Sequence, residues 1–278
     1  MMSNEVICLY SKTKYPILLV HGMGFRDNRL VGYWGRIPKM LEELGCDVYF
    51  GYQDSNADVE TNGEHLAKRI MQVLEESGAE KVNIIAHSKG GLDSRYAISS
   101  LNMGDKVASL TTISTPHHGS KSIDVLMKFP LPVIKFVCFF VDCWFRLIGD
   151  KKPNTYRTLC AFTTDSALKF NAENADFDGV FYQSYAFVMK KATSDMFLWL
   201  PYIAVKRIEG ENDGLLTPDA VKWGNFKGVY SGAGKRGISH CDEVDMRRRP
   251  LSKKTGDGVS DILDIYKEIA LYLIKLGL

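Results

Sequence analysis

Residues 82–92 read Val-Asn-Ile-Ile-Ala-His-Ser-Lys-Gly-Gly-Leu, an apolar run that passes through a small-x-Ser-x-Gly turn into a helical stretch. Few backbones accept such a join. The turn forces Ser88 into a strained conformation with its hydroxyl exposed, and it requires small residues two before and two after, a demand that Ala86 and Gly90 meet. A strand ending in an exposed serine is at home at the edge of a parallel sheet. The rest of the chain agrees, because short apolar runs alternate with amphipathic stretches: Ile17–Val20 and a helix near Tyr33–Leu44, Asp47–Tyr52 and Thr61–Ser77, Val82–Ala86 and Gly90–Leu101, then Val107–Ile113. This alternation predicts an α/β fold with a mostly parallel central sheet and helices on both faces.

Two helices carry clear apolar faces. Leu66, Ile70, Val73 and Leu74 define one over Thr61–Ser77, with Thr61 and Glu64 as a capping box and Gly78 as its stop. Ile262, Ile265, Ile269, Leu273 and Leu276 define the other, from about Ser260 to Lys275. With no linker-like tract and no repeat, the 278 residues read as one domain.

A serine hydroxyl becomes a nucleophile only when an imidazole takes its proton and a carboxylate orients that imidazole. On a sheet with this strand-to-helix elbow the chain order is serine, acid, histidine. His21, His65 and His87 precede Ser88, and His117 and His118 follow it too closely for an acid-bearing segment to intervene, which leaves His240. For the acid, Ala204-Val-Lys-Arg-Ile reads as a strand ending in the polar turn Glu-Gly-Glu-Asn-Asp213-Gly, and Thr217-Pro218 opens the next helix. Asp213 is the preferred acid, with Asp195 and Asp219 as rivals. Two backbone donors complete the set, the N–H of Lys89 and that of Met23 in the turn His21-Gly-Met-Gly24 after the first strand.

At these residues the chain resembles the bacterial lipases of the α/β-hydrolase superfamily, the Pseudomonas and Burkholderia true lipases above all. The resemblance runs through L-L-V-H-G-M-G-F, I-A-H-S-K-G-G-L-D-S-R-Y, I-S-T-P-H-H-G-S, G-E-N-D-G-L-L and I-S-H-C-D-E-V, and is weakest over Ser120–Tyr182. Ala86 in place of the commoner glycine is similar to the elbow of the small Bacillus lipases. The resemblance implies the α/β-hydrolase fold, Ser88 as nucleophile, Asp213 as acid, His240 as base and Met23 with Lys89 as oxyanion donors. It gives His117 and His118 a structural, hydrogen-bonding part. It further implies a structural calcium ion held by Asp195 and Asp242, although Asp242 could equally cap a helix or pair with Arg247. No cofactor is required for the chemistry itself.

The segment Ile123–Ile148 stands out in a chain of mean hydropathy −0.12. Its charges are Asp124, Lys128, Lys135, Asp142 and Arg146, which fall within a wedge of roughly 40° at about 100° per residue. Pro130 and Pro132 divide it into two amphipathic helices, the second from about Val133 to Ile148. No run approaches the roughly 20 apolar residues of a membrane span. One reading buries the broad apolar face in the core. The preferred one makes residues 120–178 a helical lid, inserted after the strand that follows the nucleophile helix, with Phe136, Phe139, Phe140 and Trp144 closing on the acyl pocket in water and turning to lipid at an interface.

The sequence therefore predicts a lipase acting on acylglycerols, with a carboxylesterase or thioesterase on soluble acyl substrates as the alternative and a catalytically silent binding protein as a distant third. The base must be neutral, so the rate should fall below about pH 6.5, the unperturbed imidazole value. A net charge of +2 without a dense basic face gives no reason to expect nucleic acid. Cys8, Cys46, Cys138, Cys143, Cys160 and Cys241 form no C-x-x-C pair and read as reduced thiols. Glu5, Lys12 and Lys14 interrupt Met1–Val20, so a leader is not expected there; a cytoplasmic chain is expected if complete, a secreted one if a leader has been removed.

Overall fold

Alternate residues of the first strand, β1 (Ile17–Val20), enter two different cores, and this two-faced burial organises the molecule. Ile17 and Leu19 pack with Trp34, Ile37, Leu41, Ile265, Ile269 and Leu273 on one side of the sheet. Leu18 and Val20 pack with Leu66, Ile70, Val73, Ile84 and Ile98 on the other. Both faces being covered explains why the strands read as continuous apolar runs.

The computed structural model describes residues 12–27, 32–253 and 257–278; Cys8, Glu5 and most of the stretch read for a leader lie outside them. β1, β2 (Val48–Phe50), β3 (Val82–His87), β4 (Val107–Ile113), β5 (Phe181–Phe187) and β6 (Asn225–Tyr230) form one sheet in the order β2-β1-β3-β4-β5-β6, and every neighbouring pair is parallel. Helices α1 (Ile37–Glu43) and α10 (Ile262–Lys275) cover the first face, and α2 (Val59–Ser77) and α3 (Lys89–Ser99) the second.

The ends of α2 show which local signals hold. Gly78 closes it in the left-handed region at φ 70°, as its place after the apolar face predicts. The start differs: Asp58, not Thr61, is the cap, its carboxylate accepting the Thr61 N–H at 2.9 Å. Val59 is buried, so the helix extends back to bury one more apolar residue and takes the nearest acceptor before it.

Between β4 and β5 the chain inserts α4 (Lys121–Leu126), α5 (Leu131–Leu147), α6 (Thr155–Ala161) and α7 (Thr164–Glu173). Pro130 and Pro132 separate α4 from α5, and Pro132 is tolerated inside the first turn of α5, where a backbone N–H has no intrahelical acceptor. Among the described residues no helix is long and apolar enough to cross a membrane.

One expected strand is a helix. Ala204–Ile208 lies in α8 (Trp199–Ile208), which buries Tyr202 and Val205 on one side and carries Pro201 harmlessly in its first turn. The β-branched run is overridden by this packing. α9 (Pro218–Val221) begins as expected, with the Thr217 side chain capping Ala220 N–H and Pro218 opening the helix.

Candidate active site

Ser88 sits between β3 and α3 with φ 53° and ψ −129°, a region that a residue with a side chain adopts only when its surroundings dictate it. Its N–H donates to Ile113 O at 2.8 Å, and Thr115 Oγ1 donates to Ser88 O at 2.8 Å, so the strained peptide is held from both sides. The glycines follow from close approach. A Cβ on Gly90 would lie 2.4 Å from His21 O, and one on Gly22 would lie 2.8 Å from Ser88 Cβ. Gly22 thus lets the turn after β1 close against the nucleophile.

His240 stands on a loop 152 residues later in the chain, and its ring centroid lies 4.4 Å from that of His87, the residue before Ser88. His240 Nδ1 is 2.8 Å from Asp213 Oδ2, and His240 N–H donates to Asp213 O at 2.8 Å, so side chain and backbone of the two residues are locked together. Asp213 is fully buried and lies in the loop after α8 rather than at a strand end. That loop is fixed to the sheet by Met189 N–H donating to Asn212 O at 2.9 Å. Burial alone would raise the Asp213 pKa, but the charge and hydrogen bond of His240, with the Leu216 and Leu215 N–H groups on Oδ1, outweigh it and hold the carboxyl below its ordinary value. The rival Asp219 pairs with Lys222 on the surface, and Asp195 binds elsewhere.

The N–H groups of Met23 and Lys89 make no hydrogen bond among the described residues, which leaves both open as donors. The Lys89 side chain turns away into a buried pair with Asp93, at 2.6 and 2.8 Å, that Asn62 also contacts. Beside the triad lies a cavity of about 250 Å³ whose apolar wall is Met23, Phe25, Phe197, Leu198 and Leu215.

Behind the triad lies a polar network that the sequence did not disclose. Gly22 N–H donates to Tyr33 Oη at 3.0 Å, and Tyr33 Oη lies 2.7 Å from His87 Nδ1. His87 Nε2 in turn lies 3.1 Å from Glu243 Oε2, so the ring bridges the Tyr33 hydroxyl and the Glu243 carboxyl. Burial, then the charges of His240 and His21, push the His87 pKa well down and keep the ring neutral. Glu243 is also 3.7 Å from His240 Nδ1, and burial, then the Asp213 charge, push its pKa well up, so it holds a proton where Asp213 does not. Its position three residues after His240 was the one available signal, and Glu243 reads in sequence as a solvated residue. His87, His240 and Glu243 also form a group close enough to hold an ion, but His240 Nδ1 and His87 Nε2 are both committed to carboxylates in this network.

His117 is buried, with Nε2 3.0 Å from Thr112 Oγ1 and the ring stacked on Trp223; burial pushes its pKa well down. His118 Nε2 lies 3.0 Å from Lys222 O. Cys46, Cys138, Cys143, Cys160 and Cys241 are all free thiols.

The lid residues do not sit as the hydropathy pattern suggested. Helix α5 buries Ile134, Cys138 and Phe145, and Asp142 accepts from Thr155 N–H at 2.7 Å and from its hydroxyl at 2.6 Å. Phe136, Phe139, Phe140 and Trp144 are 57–65% exposed and none lines the cavity beside His240. The narrow side with Asp142 is held to the start of α6 by these hydrogen bonds, and the broad aromatic face is outward.

The calcium ligands also differ from expectation. Asp195 Oδ1 accepts from the N–H groups of Phe197 and Leu198, and Oδ2 from Ser239 Oγ at 2.8 Å. Asp242 Oδ2 accepts from Ser239 N–H at 3.2 Å, while Oδ1 takes the Arg247 Nε–H. Asp242 Oδ1 already carries the Arg247 guanidinium, whose positive charge a calcium ion seeking six to eight oxygen ligands would meet at close range. The residues present do not fit that ion.

The six-stranded parallel sheet with helices on both faces and the strained strand-to-helix turn at Ser88 define a protein of the α/β-hydrolase fold. More narrowly, the chain is similar in sequence to bacterial triacylglycerol lipases. It is 35% identical over 179 residues to a triacylglycerol lipase of Pseudarthrobacter phenanthrenivorans, covering 60% of this chain and 55% of that protein. The match to a Burkholderia plantarii triacylglycerol lipase is also 35% over 179 residues, covering 60% and 49%. The chain thus spans about half the length of these curated relatives. A family profile described as "Putative serine esterase (DUF676)" matches residues 50–138. Among solved structures, the Staphylococcus hyicus lipase shares the fold at a TM-score of 0.69 and 18% identity, over 96% of this chain and 97% of that one.

Proposed function

We propose that the chain is a serine ester hydrolase acting on acylglycerols. The observation that carries this is the strained elbow at Ser88, whose preceding residue His87 lies 4.4 Å, ring to ring, from a His240 locked to Asp213, in the chain order serine, acid, histidine. Ser88 Oγ attacks the ester carbonyl as His240 Nε2 takes its proton, and Asp213 stabilises the imidazolium. Met23 and Lys89 N–H groups bind the oxyanion as the carbonyl becomes tetrahedral. Collapse breaks the acyl–alkoxy bond, His240 protonates the leaving alcohol, and the acyl group stays on Ser88. Water, deprotonated by His240, then attacks the acyl carbon and releases the acid and free Ser88.

The exposed Phe136, Phe139, Phe140 and Trp144 of α5, within the insertion that follows β4, supply an apolar surface for transient contact with a lipid interface. A second reading, hydrolysis of dissolved short-chain esters, is favoured by the cavity beside His240, whose 250 Å³ suits a short acyl group better than a long one. A fluorophosphonate probe tests the chemistry: it should label wild-type protein covalently and leave Ser88→Ala unlabelled. Labelling of Ser88→Ala at the wild-type rate would refute the assignment.

A further inference from the structure

The loop that presents His240 is bound at the residue before it. Ser239 donates its hydroxyl to Asp195 and its N–H to Asp242, and the Asp242 N–H returns to Ser239 Oγ at 3.2 Å and to Ser239 O at 2.8 Å. One serine therefore ties the distant Asp195 and the neighbouring Asp242 to the base-bearing loop. Asp195 is 9% exposed and Asp242 1% exposed. Two carboxylates at that depth need positive charge, from a cation or from the chain itself.

The chain provides it. Arg247 Nε–H donates to Asp242 Oδ1, and the two form an ion pair in which the carboxylate side chain is fully buried. Arg236 stands within the influence of the same acids: burial and then the Arg247 charge lower its pKa, while Asp242 and Asp195 act against them. Arg236 also belongs to the clamp through its backbone, because its carbonyl accepts the Ser194 hydroxyl beside Asp195. Asp242 thus holds the Arg247 guanidinium directly, and Arg236 adds a second positive charge near both acids.

We infer that Arg247, supported by Arg236, holds the His240 loop in place of a metal ion, making the loop's stability independent of calcium. A guanidinium suits this site because its fixed planar donors bind carboxylate oxygens directionally, as a hydrated ammonium does not. A calcium ion on Asp242 Oδ1 would meet the positive charge of the Arg247 guanidinium already bound there, and one on Asp195 would compete with the Ser239, Phe197 and Leu198 donors. The inference concerns loop stability and not turnover, so it stands or falls separately from the esterase reading.

Thermal melting of the full chain in EDTA and in millimolar CaCl2 tests it. The two melting temperatures should agree within about 1 °C, and calorimetric titration of the wild-type protein with CaCl2 should give no binding heat; a site that needed the ion would shift the melt by about 5 °C or more. Arg247→Gln should melt about 5 °C lower than wild type, because it strands a buried carboxylate. A calcium-dependent rise of the wild-type melting temperature, or an Arg247→Gln variant that melts with wild type, overturns the inference. If Arg247→Gln does not fold, the wild-type melts and titration decide.

Discussion

His87 Nε2 and Glu243 Oε2, from residues 156 positions apart, meet at 3.1 Å with both side chains sealed from solvent. Through this contact the nucleophile strand and the histidine loop share one hydrogen-bond path, running from Gly22 N–H through Tyr33 and His87 to Glu243 beside Asp213. The path crosses from the oxyanion side of the site to the acid side. Tyr33→Phe cuts it by leaving the Gly22 N–H and His87 Nδ1 unpaired, and should cost about 1–3 kcal/mol in denaturant unfolding. It should lower kcat more than it raises KM, since the turn that carries Met23 loses its anchor; a variant with wild-type stability and kcat would remove Tyr33 from the path.

Glu243 makes stability depend on pH. Its folded pKa is raised well above 4.5, so above that value the unfolded chain releases a proton that the folded one keeps. Its contribution is therefore complete below about pH 4.5 and is lost as pH rises toward the folded value, at about 1.4 kcal/mol per pH unit. Glu243→Gln cannot ionise and should lose less stability than wild type as pH rises above about 4.5. Urea unfolding across that range checks this, and parallel curves for the two proteins would mean that Glu243 is ionised in the fold. Asp213, held below its ordinary value, acts oppositely: its contribution is present above about pH 3.8 and is lost as pH falls through the folded pKa.

Among the catalytic residues the expected losses are large and separable from folding. Ser88→Ala and His240→Ala should each lower kcat by about 10⁴-fold or more on a dissolved ester, and Asp213→Asn by a comparable factor through the wrong imidazole tautomer. Ser88→Ala should melt no lower than wild type, because it relieves nothing but a hydroxyl on a half-exposed residue. Substantial residual turnover in Ser88→Ala would mean another nucleophile.

Gly22→Ala tests the close approach behind the oxyanion donors. The added methyl would lie 2.8 Å from Ser88 Cβ and 3.0 Å from Tyr33 Oη, so the turn after β1 must retreat from the nucleophile. A displacement on that scale should cut kcat by about 100-fold. Wild-type kcat in Gly22→Ala would show that the turn does not carry an oxyanion donor.

The aromatic face of α5 makes a prediction about substrate form. Phe140→Ser with Trp144→Ser changes two exposed side chains, so stability should move by no more than about 0.5 kcal/mol per site. Hydrolysis of an emulsified triglyceride should fall severalfold while a dissolved ester is turned over as before. Equal losses on both substrates would assign the face to the fold and not to an interface.

The elbow, the strand–helix alternation and the identity of His240 were legible in the sequence because each is a local or combinatorial constraint. A strained serine needs small neighbours wherever it occurs, covered strands must be apolar throughout, and the required chain order eliminated the other histidines. Asp213 was also reached, though by way of a strand that proves to be the helix α8, so the residue was identifiable from its place in the order and its polar turn, while its support was not. What only the tertiary structure decided is the orientation and company of polar groups. The hydropathy of α5 defines an apolar face but not whether that face meets core or water; in the fold Asp142 binds Thr155 and the face is outward. The Asp242–Arg247 pair was one of the options legible in the sequence, but that Ser239 joins it to Asp195, 44 residues earlier, only the folded chain decides. Glu243 and His87 likewise acquire their protonation only when folding removes water and brings Asp213 and His240 to them, since desolvation and charge proximity are properties of the assembled interior.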